Sequence, residues 1–394
     1  MYLHRQCEGL LLRYLELFPC VALTGPRQSG KSTLVRHLLP DRPYVTLDDP
    51  DEELAVTDDP VGFFSRFPDM VIIDEVQRAP ALFRYLKLAI DAEPERMGRF
   101  VLTGSNQFML QRNVSESLAG RIGLLSLLPF ENRELPPPLR SRQLLEGSYP
   151  ALAAREFTGL REWYAAYVAT YLERDVRLLN DIGKLADFHR LLRLLAARTS
   201  QEQNMSSLSR EIGVSSHTID AWVSVLESSY LTFNVQPLHA NLGKRLIKRP
   251  KLYFWDTGLV CHLTGIRDRE ALEGGPLLGA LLENLVVAET RKKILHAGLD
   301  QDLFFYRDNA GREVDLIIHD RGARLVRLIE IKSGYTAKHE WVGRLEEIAA
   351  ILGPSMKAEG IEIGCQVVYR GATRRSWPKA GFEYLNVEDF LLEE

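Results

Sequence analysis

The sequence predicts an α/β protein of several units, on three observations. Apolar strand-like runs alternate with amphipathic helical runs through the first 135 residues, the rhythm of a parallel sheet covered by helices. A glycine-rich turn ending in Gly30-Lys31-Ser32 sits between one such strand and one such helix. The chain has 394 residues, whereas a domain usually takes about 100–200, so two or three domains can each bury a core.

The elements follow in order. Residues 20–24, 43–48, 70–75 and 99–105 read as strands; 31–39 and 82–91 read as helices. Pro136, Pro137 and Pro138 mark a boundary, because proline neither continues a helix nor donates to a ladder. Residues 139–200 turn helical, which predicts a lid or connector over 136–185. Leu208 and Ile212, then Gly213, then Ser215 or Ser216 as N-cap, then Ile219, Val223 and Leu226 have the spacing of a helix-turn-helix core. From about 275 a long helix, strands near 303–307, 313–318 and 324–332, a helix at 340–352 and a strand at 365–369 form a second α/β unit. The expected division is 1–135, 136–185, 186–255 and 256–394.

Composition excludes several classes. With 45% apolar and 26% charged residues the chain is neither disordered nor collagen-like. Lys plus Arg is 49 and Asp plus Glu 53, so 49 − 53 = −4 and bulk charge does not draw the chain to nucleic acid or an anionic membrane. DNA contact requires a local patch. Cys7, Cys20, Cys261 and Cys365 are too far apart for a C-x-x-C knuckle or a dense disulfide framework, which predicts a reducing, cytoplasmic setting. Arg5, Glu8, Arg13 and Glu16 interrupt the apolar pattern at the start, and nothing approaches about 18 uninterrupted apolar residues, so we expect no export signal and no membrane span.

Gly25-Pro26-Arg27-Gln28-Ser29-Gly30-Lys31-Ser32, followed by Thr33, fits G-x-x-x-x-G-K-[ST] without mismatch and has the strand before it and the helix after it that the motif requires. Its glycines let the loop wrap closely, its N–H groups point at phosphate oxygens, Lys31 neutralises phosphate charge, and the Ser32 hydroxyl can ligate Mg2+. The strand 70–73 ends in Asp74 and Glu75. At the C-terminal edge of a parallel sheet, Asp74 can hold magnesium through water, and Glu75 can orient and deprotonate the attacking water. The strand 99–103 ends in Gly104, Ser105 and Asn106, where Ser105 or Asn106 can reach the γ-phosphate or that water; turn chemistry alone also explains such an ending.

This order resembles the AAA+ ATPases over residues 1–135, and the whole chain looks like the prokaryotic AAA-14 family, in which a C-terminal domain of unknown function follows the ATPase. The resemblance implies Walker A at 25–32, Walker B at 71–75 and a sensor-1 position at Ser105 or Asn106. It also implies ATP and Mg2+ as cofactors and a homo-oligomer with nucleotide at subunit interfaces. Leu118-Ala119-Gly120-Arg121 is similar to the family's L-x-G-R run, making Arg121 the candidate finger in trans, against a surface pair with Glu116. No sensor-2 arginine stands out.

Residues 186–255 resemble a winged helix with 234–255 as its hairpin wing. Lys244, Arg245, Lys248, Arg249 and Lys251 place five positive charges in eight residues, a stripe that could hold DNA phosphates. The second helix offers Asp220 and Glu227 but no Arg, Asn or Gln to read bases. Farther on, Asp315 and the Glu330-x-Lys332 pair can lie on adjacent antiparallel strands, with Glu330 and Lys332 on one face. This resembles the PD-(D/E)xK nuclease fold, which implies Asp315 and Glu330 as Mg2+ ligands, Lys332 activating water or stabilising charge, and Glu283 as the added helical acid. A surface ion pair is the other reading. Two functions therefore stay open: an ATPase driving a winged-helix and nuclease-like module on DNA, and an ATP-gated protein-interaction switch that cuts nothing.

Overall fold

Cys20–Thr24 (β1) is buried at every position, as a strand covered on both faces must be. It belongs to a five-stranded parallel sheet with Tyr44–Thr46 (β2), Val71–Asp74 (β3), Phe100–Gly104 (β4) and Ile122–Ser126 (β5), in the order β2-β3-β4-β1-β5, where it lies between β4 and β5. The computed structural model describes residues 2–105, 118–172, 185–238, 249–375 and 381–393. Alternation divides the strands between two faces. Val21, Leu23, Ile72 and Val101 meet the helices Glu8–Leu17 and Lys31–Leu38, while Cys20, Ala22, Ile73 and Leu102 meet Leu82–Ala92 and the short helices Pro50–Asp58 and Pro60–Ser65. The α/β reading of the first 135 residues holds.

Beyond the prolines, four short helical segments (Pro137–Arg140, Gln143–Glu146, Pro150–Ala153 and Leu160–Tyr167) lead to Leu185–Ala197. Met205–Ile212 and Ser216–Ser228 form the expected helix pair. Asn204 caps the first through Ser207 N–H, Gly213 ends it at φ 87°, and Ser215, not Ser216, caps the second through Thr218 N–H. A small antiparallel ladder follows from Gln201–Glu202 (β6), Thr232–Pro237 (β7) and Lys251–Phe254 (β8).

Two expected boundaries do not coincide with breaks in packing. One hydrophobic core joins Phe130, Tyr149 and Tyr164 to Leu191, Trp222, Phe254 and Leu281, running across 185/186. Farther on, β7 pairs in parallel with Gln301–Arg307 (β9), through Gln236 opposite Phe304 and Pro237 opposite Phe305. With Glu313–Asp320 (β10), Leu325–Lys332 (β11), Glu362–Tyr369 (β12), Arg374–Arg375 (β13) and Phe382–Asn386 (β14), this makes one nine-stranded sheet, β13-β14-β12-β11-β10-β9-β7-β8-β6. The 255/256 boundary thus lies within a continuous sheet. Against it packs the helix Leu278–Ala297, buried on most sides, with Asn284, Glu289, Thr290, Lys292 and His296 among its buried residues. Among the described residues no helix is long and apolar enough to cross a membrane.

Candidate functional site

The turn after β1 owes its shape to two glycines. Gly25 has φ 143°, and a Cβ there would lie 2.0 Å from the Leu127 carbonyl oxygen; Gly30 has φ 93° and opens the helix Lys31–Leu38. That helix aims its unpaired first N–H groups into a cleft of about 520 Å³. Arg27, Gln28, Gly30, Lys31, Ser32, Thr33 and Glu75 line the cleft, and Tyr2, Leu3, Phe130, Pro150, Ala151 and Ala154 give it a largely apolar side. Pro26 and Ser29 complete the loop, with Ser29 buried. Lys31 is 6% exposed, and its Nζ donates to the carbonyls of Gly25 at 2.9 Å and Pro26 at 2.8 Å. Burial pulls its pKa down to about 8, although Glu75 and Asp74 work the other way.

Parallel pairing brings the other strand ends to the same edge. Asp74 at the end of β3 accepts from Ser32 Oγ at 2.9 Å and also from Tyr44 and Thr103 hydroxyls. A carboxylate and a hydroxyl side by side, both oxygen donors, suit Mg2+. Glu75 follows in the left-handed region at φ 57°, a conformation costing about 1–3 kcal/mol in a non-glycine residue, and Gln77 donates to its carboxylate. Gln77 Nε2 also lies 3.5 Å from Ser105 Oγ, and Ser105 is buried. Asn106, the other candidate there, lies outside the described residues. Arg121 stands at the opposite sheet edge, since the next residue, Ile122, pairs with Cys20 at the start of β1. Its guanidinium meets Asp91 at 2.6 Å. It therefore cannot reach its own phosphate loop, about 16 Å away along the strand.

Sequence reasoning missed a buried brace beneath the loop. Arg5, 3% exposed, donates to Ser29 O at 2.9 Å and Leu128 O at 2.7 Å and pairs with Glu134 at 3.2 Å. The same segment is bound to the long helix: Leu128 N–H donates to His296 Nε2, His296 Nδ1 meets Glu131 at 2.6 Å, and Lys292 donates to Phe130 O. Glu131, Glu134 and His296 are close enough to share a metal ion. All four carboxylate oxygens are nevertheless engaged, by His296, Arg133, Arg5 with Gln6 N–H, and Glu131 N–H, so the group is a closed ionic network.

The C-terminal acids do converge. Asp315 Oδ2 accepts Ile331 N–H at 2.8 Å; Glu330, 2% exposed, pairs with Lys332 and leaves its Oε2 without a partner. On the long helix, Glu283 accepts from Lys251 at 2.9 Å and from Tyr253 at 2.8 Å, and Lys251 also meets Glu313 at 2.7 Å. Burial raises Glu283 to about 7, with Asp315 adding to it against Lys251. Burial, then Asp315, likewise raises Glu330 to about 7, against Lys332. Burial lowers the tendency of Lys251 to hold its proton, but Glu283, Asp315 and Glu313 outweigh it and the pKa stands above the ordinary value. Among the described residues no three of these acids bring ligand oxygens within 4.8 Å of one another, so a divalent cation would rest on Asp315 and the bare Oε2 of Glu330.

Lys251 corrects the basic stripe. Rather than standing on a solvated wing, it is 2% exposed in β8 and enclosed by acids. The pairing of β7 with β9 carries β8 beside the C-terminal sheet, which no local pattern announces. Arg249 is exposed, whereas Lys244, Arg245 and Lys248 lie outside the described residues.

Comparison with known proteins now adds to the geometry. Residues 18–136 match the AAA domain family AAA_14, 139–270 match a domain of unknown function (DUF8612), and 278–390 match another (DUF4143). The uncharacterized proteins Rv2008c of Mycobacterium tuberculosis and Mb2031c of Mycobacterium bovis are each 33% identical over 321 residues, covering 81% of this chain and 71% of theirs. Among solved structures, a Walker-type ATPase of Pyrococcus abyssi is similar at 16% identity and TM-score 0.45, covering 66% of this chain and 94% of its own. DnaA of Aquifex aeolicus bound to AMPPCP is similar at 12% identity and TM-score 0.30, over 56% of this chain and 85% of its own.

Proposed function

We propose, from the premise that this chain belongs to the family of those two mycobacterial proteins, with an AAA domain followed by two domains of unknown function, that it hydrolyses ATP and couples turnover to its C-terminal acid site. The observation that carries the reading is Lys31, a buried ammonium held only by loop carbonyls at the mouth of a cleft lined by helix N–H groups. Neither Asp74 nor Glu75 contacts that ammonium, which leaves it open to a phosphate. Triphosphate would take the place of the Gly25 and Pro26 carbonyls on Nζ, with the loop and helix N–H groups holding the bridging oxygens. Magnesium, held by Ser32 and Asp74, would supply neutralisation of phosphate charge. Glu75 holds and deprotonates the water, Gln77 fixes the Glu75 carboxylate, and Ser105 contacts the terminal phosphate or the water. The apolar side formed by Tyr2, Leu3 and Phe130 takes the base. Arg121, remote from its own loop, serves a neighbouring subunit in a homo-oligomer. Phosphate release from purified wild type and Glu75→Gln tests this: the variant keeps ATP and loses turnover, and equal rates sink the assignment.

For the remainder, the helix order with β6, β7 and β8 supports a winged-helix unit, and Asp315, Glu330 and Lys332 support a PD-(D/E)xK-like, Mg2+-dependent nuclease site acting on DNA. The helix Leu278–Ala297 supports coupling. It carries Glu283 at the acid site and, about 20 Å along its axis, the His296 that holds Leu128 beside the phosphate loop. Mg2+- or Mn2+-dependent nicking that disappears in Asp315→Ala supports cleavage; equal activity in the variant points to a contaminant. One observation favours the second reading, an ATP-gated protein-interaction switch. The exposed face of Ser216–Ser228 carries His217, Asp220, Ala221 and Ser224 and no Lys or Arg, and Lys251 is withdrawn from the basic stripe. DNA-stimulated ATPase favours the first reading; indifference to DNA with nucleotide-dependent partner capture favours the second.

A further inference from the structure

We propose that Lys251 acts as a fixed substitute for a second cation in the C-terminal acid cluster, so that the cluster takes one divalent cation, at Asp315 and Glu330, and has no room for two. This rests on the reading of that cluster as a cation site, and deepens it by stating its stoichiometry.

The cluster has two halves. In one, Lys251 Nζ bridges Glu283 at 2.9 Å and Glu313 at 2.7 Å, as a metal ion between two carboxylates would. Tyr253 closes that half by donating to the same oxygen of Glu283. In the other half Lys332 takes one oxygen of Glu330, while the other oxygen, Oε2, is buried and without a partner, and Asp315 Oδ2 has only the Ile331 N–H. A buried carboxylate oxygen left bare is costly unless something binds it.

Charge gives the number. With all four acids ionised, Glu283, Glu313, Asp315 and Glu330 carry four negative charges and Lys251 and Lys332 two positive, so 2 − 4 = −2, the complement of one divalent cation. Arg307 and Arg344 stand 3.8 Å from Glu313 and 3.9 Å from Glu330, but both are about half exposed, where water and salt screen them. Without Lys251 the cluster would carry 1 − 4 = −3, and the place between Glu283 and Glu313 that Lys251 fills would be open to a second cation. Lys251 is delivered by β8, part of the preceding helical unit, so the neighbouring fold sets the number of metal ions in this site.

The test is a Mn2+ titration of the full chain without nucleotide, followed by electron paramagnetic resonance, counting only ions that Asp315→Asn removes. Wild type should bind one per chain, Lys251→Met two, and Lys251→Met with Glu283→Gln one, since that pair restores −2. Two ions in wild type would overturn the inference and leave the cation site standing. One ion in a natively folded Lys251→Met overturns it as well. No ion in wild type overturns both this inference and the reading of the acids. Should Lys251→Met fail to fold, Glu313→Gln, at the rim, still decides: Mn2+ binding at least threefold weaker is expected, and unchanged or tighter binding overturns the inference.

Discussion

The two candidate sites each bury a lysine beside carboxylates, and the two lysines are pushed in opposite directions. Lys31 faces carbonyl oxygens, with Asp74 engaged by three hydroxyls, and burial lowers it to about 8. Lys251 faces Glu283 and Glu313 with Asp315 behind them, and three acids hold it protonated despite equal burial. In the first site the carboxylates are engaged by hydroxyls and by Gln77 rather than by the ammonium; in the second they contact it directly. On the functions proposed above, the same ammonium would meet an anion in one region and stand in for a cation in the other, and its contacts, not the residue type, would decide which.

The contrast is broken most severely at Lys31. Lys31→Ala should weaken ATP binding by at least about 100-fold, on the order of 3 kcal/mol. Calorimetric titration checks it, and near-native affinity would mean that the loop does not hold phosphate. At the second site, carboxyls raised to about 7 cost stability as pH climbs from about 4.5 through 7, because the folded chain there binds more protons than the unfolded one. A divalent cation offsets that cost, so the rise in thermal midpoint with Mn2+ should be larger at pH 8 than at pH 5.5 and should vanish in Asp315→Asn. A rise independent of pH would disconnect the acids from the cation.

A smaller effect sharpens the first site. Free Lys31 loses its proton around pH 8, being mostly charged at about pH 7 and mostly neutral at about pH 9, while bound phosphate would hold it charged. ATP affinity should be level up to about pH 7 and fall through pH 8, with proton uptake on binding at pH 9; calorimetry in buffers of different ionisation heat detects the uptake, and its absence would mean that Lys31 does not change protonation. Smallest is the join between the regions. Tyr230 OH lies 2.6 Å from Thr24 Oγ1 and 3.2 Å from Ser126 Oγ, just before the phosphate loop. Tyr230→Phe should cost about 1 kcal/mol, read as a drop in denaturation midpoint.

By itself the sequence determined the local devices: the loop from Gly25 to Ser32, the acids at the end of β3, the two-helix turn with its caps and the alternation of Glu330 and Lys332. Each depends on backbone rules acting over a few residues, so spacing in the chain is enough to reveal it. Only the tertiary structure decided that β7 pairs with β9, that Lys251 leaves the basic stripe to meet Glu283 and Glu313, that Arg5 braces Ser29, and that one helix reaches both sites. Those contacts, a strand ladder, an arginine on a backbone carbonyl and a buried ion pair, join residues far apart in the chain, and none of them exists until the sheets are assembled.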